Sequence, residues 1–278
     1  MKIIVLVKQV PETDALAIDP ETGTVVRSEN TSIVNPLDLY AIEAALRIKE
    51  RRPDTAIWAL SMGPPAAEIA LREALAMGCD EAYLVTGREF AGADTWATAR
   101  TLSAAVAALG PADLVFCGEK ATDGDTGQVG PEMAAFLDLP VISYAGPLEL
   151  VDSDRGPLVR VERIAEEGTQ VVECGLPVLL TFCKALGEPR LPLLAGKRRA
   201  HEARVRRLGL SELKLSPEAT GSAGSPTRVV KIASPKLSRE TEVLDARSEE
   251  GAAAACERIV GLLVERGLVE RREGSMAK

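Results

Sequence analysis

The chain has little of what most catalytic centres are built from. A single histidine, His201, occurs in 278 residues. It lies among Lys197, Arg198, Arg199 and Arg204, so a basic surface is its expected setting, and neither a Ser-His-Asp triad nor a multi-histidine metal centre has its material. The five cysteines, Cys79, Cys117, Cys174, Cys183 and Cys256, are odd in number, widely spaced and never arranged as CxxC. That removes a disulfide framework and a thiolate metal site, and predicts buried small apolar residues instead. Aromatics make up 3% of the chain and the formal net charge is −8, whereas nucleic-acid binders present a basic footprint and stacking rings. Long apolar runs are missing as well. The longest uncharged stretch, residues 55–67, contains Gly63-Pro64-Pro65 and falls short of the ~20 apolar residues that a membrane span needs. Met1-Lys2 leads into Ile3-Ile4-Val5-Leu6-Val7, too short for a secretion signal and without a small-residue cleavage site. A cytoplasmic protein without membrane insertion is expected.

What remains is 46% hydrophobic and 27% charged, the composition of a globular protein with a substantial core. At ~150 residues per domain, the length fits one large domain, alone or with an extension. Residues 2–8 form a short continuous apolar run, as in a strand buried on both faces of a parallel sheet. Turn formers between residues 17 and 27 suggest a surface hairpin. Asn35-Pro36 then reads as N-cap and first helical residue, with Leu37, Tyr40, Ala41, Ala44, Ala45 and Ile48 at helical spacing to about Arg51. The alternation repeats: a strand at 55–62, a helix at 66–77 stopped by Gly78, a strand at 81–86, a helix capped by Asp94 and a strand at 113–117. Strand and helix in alternation predict a parallel α/β sheet. After Pro140 the pattern becomes β-rich at 141–150, 158–164, 169–173 and 178–183. From Lys184 onward it is loop-like and basic, up to a last amphipathic helix at 249–266.

The stretch Cys117-Gly118-Glu119-Lys120-Ala121-Thr122-Asp123-Gly124-Asp125-Thr126-Gly127-Gln128-Val129-Gly130-Pro131 follows the 113–117 strand and precedes a helix starting near Gln128. Ligands of open parallel sheets bind beyond the carboxyl ends of the strands, where glycines let main-chain amides approach a phosphate. The loop is neither a Walker loop nor a Rossmann GxGxxG, and its residues alone serve equally as a nucleotide cradle or as a structural turn. Asp123 and Asp125 read as turn acceptors rather than as ligands of a cation. Other loops expected at the same sheet edge are Leu6–Val10, the Asn35-Pro36-Leu37-Asp38 helix start, Met62-Gly63-Pro64 and Phe90–Thr95. The run from Lys197 to Arg207 reads as a solvated helix face. Just before it, Leu191, Leu193 and Leu194 sit between prolines and a glycine, a docking knob if exposed and core if not.

Taken in order, IVLVKQVPET, VNPLDLYAIEAALRIKE, SMGPP, ALREALAMGCDEA, the CGEKATDGDTGQVGP loop, EPRLPLL and AGSPTRVVK resemble the β subunit of electron transfer flavoproteins along nearly the whole chain. The resemblance implies an open, mostly parallel, doubly wound α/β sheet of adenine-nucleotide-binding type. Residues 1–183 would form that domain and residues 184–278 a docking loop and C-terminal arm. It implies a heterodimer with an α subunit that carries FAD, and electron traffic between an acyl-CoA-type or other flavin dehydrogenase and a quinone reductase or ferredoxin-type acceptor. It also implies an adenine nucleotide held here by Leu6, Asn35, Pro36, Leu37, Asp38, Met62 and the run from Gly124, Asp125, Thr126, Gly127, Gln128, Val129, Gly130 and Pro131 to Ala135, with Asp94, Thr95 and Asp123 alongside. DGDTGQVGP and FAGADT resemble the bifurcating branch, which implies FAD, with AMP as the alternative. Glu119-Lys120 departs from the Arg-Gln of that branch, a departure that weighs against NADH-linked bifurcation because the paired charges replace a planar donor. Leu194 matches the family's dehydrogenase anchor. The rival reading, an adenine-nucleotide-dependent ligase or stress-type ATP-binding protein, calls for a phosphate-gripping loop after the first strand, where Gln9-Val10-Pro11 stands.

Overall fold

The computed structural model describes residues 1–12, 32–154, 156–230 and 241–269. The expected 17–27 hairpin lies outside them. The chain divides into two compact units, Met1–Lys231 and Ile232–Lys278.

In the first unit the alternating apolar runs become a nine-stranded sheet. β1 (Lys2–Leu6) is buried on both faces beyond Lys2. It is followed by the short antiparallel pair β2 (Gln9–Pro11) and β3 (Ser32–Val34). Next come α1 (Pro36–Arg51), β4 (Ala56–Met62), α2 (Glu68–Met77), β5 (Glu81–Val85), α3 (Thr95–Ala108), β6 (Leu114–Gly118) and α4 (Val129–Leu137). A meander of β7 (Val141–Ser153), β8 (Gly156–Ala165) and β9 (Gly168–Gly175) leads to β10 (Val178–Phe182). Finally α5 (Leu194–Glu202), β11 (Val205–Leu208) and α6 (Leu210–Leu213) complete the unit.

The strand order is β11-β5-β4-β1-β6-β10-β7-β8-β9. Pairing is parallel from β11 through β7, and antiparallel only for β8 and β9. Side chains alternate between two cores. Ile3, Val5 and Val7 pack with α1, α2 and α5, while Ile4 and Leu6 pack with α3, α4 and α6. Helices therefore cover both faces, the doubly wound arrangement expected. The strand sequence turns back between β1 and β6, because β4 and β5 extend one way from β1 and β6 and β10 the other. A crevice opens at such a reversal, at the carboxyl ends of the two strands.

Three sequence expectations need correction. The sheet does not end at residue 183, since β11 adds parallel to β5 from Val205↔Ala82 to Leu208↔Val85. The basic run is therefore not one helix face; it divides between α5 and this edge strand. Its arginines fit an edge, where one side of the strand meets water and charge discourages pairing with another chain. Among the cysteines, Cys79, Cys117 and Cys183 are buried as expected, whereas Cys174 is half-buried and Cys256 exposed. In the second unit, α7 (Glu249–Glu265) is capped by Ser248, whose Oγ accepts from Gly251 N–H at 3.1 Å.

Candidate functional site

At the crevice, the end of β1, the start of α1 and the loop after β6 are tied by a buried polar knot. Asn35 is 1% exposed and ends its extended segment by donating its main-chain N–H to Lys8 O at 2.8 Å. As the residue before α1 it makes no side-chain cap hydrogen bond. Its amide instead spans the crevice: Nδ2 donates to Asp38 Oδ1 at 2.8 Å and to Lys120 O at 3.0 Å, and Oδ1 accepts from Thr122 N–H at 3.2 Å. The sequence suggested an ordinary N-cap; a tie to a loop 85 residues away has no local signature.

Asp38 completes the knot. Its Oδ2 accepts from Lys8 N–H at 2.7 Å and its Oδ1 from Gly118 N–H at 3.2 Å. Glycine at 118 permits this approach, because a Cβ there would stand 2.6 Å from Asp38 Oδ1. Burial pushes the Asp38 carboxyl up to about 7, against the pull of Asn35, the two main-chain amides and the Lys8 charge. Asn35 and Asp38 thus shape the crevice from beneath, while Pro36 is exposed and Leu37 half-buried at its rim. Leu6 is 7% exposed in the α3/α4 core, and Met62, half-buried, ends the neighbouring β4.

The loop between β6 and α4 is braced rather than filled. Lys8 Nζ pairs with Asp123 at 2.6 Å and Lys120 Nζ with Asp125 at 2.7 Å, so both loop carboxylates have a cation beside them. Hydrogen bonding to Asp125 raises the Lys120 ammonium further, while burial raises the Glu119 carboxyl. Gly124, Asp125, Thr126 and Gln128 are exposed. A Cβ at Gly124 would meet nothing within 4 Å. The residue before α4, Gln128, makes no side-chain cap bond. Farther along, Gly130 is buried against β10 and β6: a Cβ there would stand 2.6 Å from Thr181 Cγ2 and 3.1 Å from Cys117 Sγ. Val129 and Pro131 flank it half-buried. A glycine open to solvent, loop carboxylates neutralised by Lys8 and Lys120 and a helix start that follows them are a setting that fits a phosphate ester.

Asp94 and Thr95 take different places. Asp94 caps α3, its Oδ1 accepting from Ala97 N–H at 2.9 Å, and its Oδ2 accepts from Thr227 N–H and Oγ1 at 3.0 and 2.7 Å. Burial works upward on this carboxyl, but these bonds prevail and hold it below the usual range. Both oxygens are committed to the protein. Thr95 Oγ1 lies 3.3 Å from Gln128 Oε1 and 3.1 Å from Glu132 Oε1, linking the starts of α3 and α4. Leu191, Leu193 and Leu194 are 85%, 76% and 68% exposed on a separate surface.

Comparison with known proteins decides the family. The electron transfer flavoprotein domain matches residues 22–213. The chain belongs to the electron transfer flavoprotein family. It is similar to the electron transfer flavoprotein subunit beta of Thermoanaerobacterium thermosaccharolyticum, at 44% identity over 260 residues covering 93% of this chain and 98% of that protein. The caffeyl-CoA reductase-Etf complex subunit CarD of Acetobacterium woodii is 45% identical over 235 residues, 84% of this chain and 88% of its own. The acryloyl-CoA reductase electron transfer subunit gamma of Anaerotignum propionicum is 40% identical over 244 residues, 84% and 89% of the two chains. The chain is of the β-subunit type and has the family's electron-transfer role, which sets aside the ligase and stress-protein reading. Sequence reasoning passed over Lys8 as a brace of the loop; nothing within ten residues of it points to Asp123. No described helix is long and apolar enough to cross a membrane.

Proposed function

We propose that this chain holds an adenine nucleotide in the β1/β6 crevice, FAD in preference to AMP. It does so as one half of a cytoplasmic heterodimer with an electron transfer flavoprotein α subunit that carries its own FAD. The observation behind this reading is the braced loop: Asn35 fastens its start, Gly124 is bare, and Gln128 makes no side-chain cap bond at the start of α4. Gly124, Thr126, Gly127 and the α4 amides would face the phosphates, with Leu6, Leu37 and Met62 offering apolar surface beneath the base. The flavin supplies the electron chemistry when bound. The residues of this chain bind and orient it, keep loop carboxylates neutralised through Lys8 and Lys120, and transfer no proton themselves.

The names of the relatives, a CoA-thioester reductase complex among them, support electron exchange with an acyl-CoA-type or other flavin dehydrogenase, and with a quinone reductase or ferredoxin-type acceptor beyond it. The exposed Leu191, Leu193 and Leu194 supply an apolar knob for the dehydrogenase. Lys197 and Arg198, exposed on the following α5, suit an acidic rim around its socket.

Gly124→Val tests the cradle. The branched side chain enters open space, so the variant should fold with wild-type secondary structure by circular dichroism, its thermal midpoint lowered only by the loss of the bound nucleotide. Nucleotide released on denaturation should fall by one adenylate per heterodimer. Full retention would refute this placement.

A further inference from the structure

The docking leucines, Leu191 and Leu193 on a loop and Leu194 at the first position of α5, follow a segment that α1 holds by a buried carboxylate. Glu43, in the middle of α1, is 4% exposed. Its Oε2 accepts from Arg190 N–H at 3.2 Å and Arg190 Nε at 2.7 Å, and its Oε1 accepts from Arg190 Nη2 at 3.1 Å and Arg47 Nε at 2.7 Å. Arg190 also donates to Glu50 at 2.5 Å. Arg47 turns its other nitrogens to the loop itself, Nη1 to Leu186 O at 2.9 Å and Nη2 to Glu188 O at 3.5 Å. Two carboxylates, Glu43 and Glu50, and two guanidinium groups thus fasten residues 186–190 to α1, with Glu43 the one that both guanidinium groups share. Burial opposes the charge on Glu43, yet the hydrogen bonds from Arg190 and Arg47 prevail and hold it below the usual carboxylate range. The far end of the loop is fixed independently. Arg199 donates to Leu75 O at 2.9 Å, and Gly196 packs so closely that a Cβ would stand 2.1 Å from Ala76 O. Between the two anchors, all three leucines stand exposed.

We infer that Glu43 is a positioning residue for partner docking: through Arg190 and Arg47 it holds the Leu191–Leu194 knob in the conformation that enters the dehydrogenase. This rests on the docking reading above. A buried ion pair is weak evidence for stability, since a hydrophobic replacement often does as well. A loop already ordered before it meets its partner, in contrast, avoids the ordering cost on binding. The same helix starts at the crevice and carries this clamp two turns on, yet the clamp shares no side chain with Asn35 or Asp38, so the two functions separate experimentally.

The test uses the complete heterodimer as electron acceptor for a flavin-containing acyl-CoA dehydrogenase, with dithionite reduction as the partner-free control. Glu43→Gln and Arg190→Ala should each raise KM for the heterodimer about tenfold at unchanged kcat. Adenine-nucleotide content and dithionite reduction should match the wild type. Leu194→Ala should raise KM as well, and adding it to Glu43→Gln should add little, because both changes remove one interaction. Arg190→Ala, on a side chain 36% exposed, carries the test if Glu43→Gln does not fold. An unchanged KM in the clamp variants, with Leu194→Ala still raising it, overturns the clamp alone, and so do effects that multiply. An unchanged KM in Leu194→Ala overturns the docking reading and this inference with it.

Discussion

Three residues near the crevice show how differently single positions contribute. Asp38 is a buried carboxylate facing three N–H donors. Its folded value of about 7 lies above the ordinary 3.8. The folded state therefore binds the extra proton, and the stability Asp38 lends is complete below the unfolded value and lost as the pH rises through 7. Relative to Asp38→Asn, the wild-type thermal midpoint should decline between about pH 5 and pH 8; parallel profiles would show that this carboxyl titrates in the ordinary range. Gly130 and Gly124 form a contrasting pair. Gly130→Ala pushes a methyl into Thr181 and Cys117 and should cost about 1–3 kcal/mol by overpacking, measured by denaturant unfolding. Gly124→Ala has room and should unfold like the wild type. Sequence alone gave both the same weight as loop glycines, because the difference is set by β10, some 50 residues further along.

At the level of elements, what was legible followed local chemistry. The strand β1, the break at Gly78, the Asp94 cap and the Asn35-Pro36 opening of α1 all follow from neighbours within one turn. What was not legible joins distant segments: Lys8 to Asp123 across 115 positions, Asp94 to Thr227 across 133, and Arg190 to Glu43 across 147. The basic run misled for a related reason, since charge density favours a solvated surface without distinguishing a helix from an edge strand. Asp94 carries both kinds of information. Its local role caps α3, and its second oxygen clasps Thr227. Asp94→Ala should cost about 1 kcal/mol through the lost cap and should also speed amide exchange at Thr227, whose N–H donates to Asp94 Oδ2. Thr227→Val, which removes the hydroxyl bond but keeps the main-chain one, should leave the cap intact and speed that exchange by less. Because its hydrogen bonds hold Asp94 below the ordinary range, its contribution is present at neutral pH and fades as the pH falls through its folded value.

Over the whole molecule, the repeating βα pattern was enough to predict a parallel sheet with the loop after 113–117 at the carboxyl ends of its strands, whereas the strand order, and with it the reversal between β1 and β6, is set by pairings that no local pattern encodes. The extent of the first unit was not legible either, because β11 joins it from beyond a stretch that reads as loop. The central claim is that this crevice holds an adenylate in addition to the FAD expected in the α subunit. Its most direct test is the FAD and AMP content of the purified heterodimer, released by denaturation and quantified per heterodimer. Two FAD are expected; one FAD with one AMP would keep the cradle but exchange its occupant, and one FAD with no second adenine nucleotide would contradict the account.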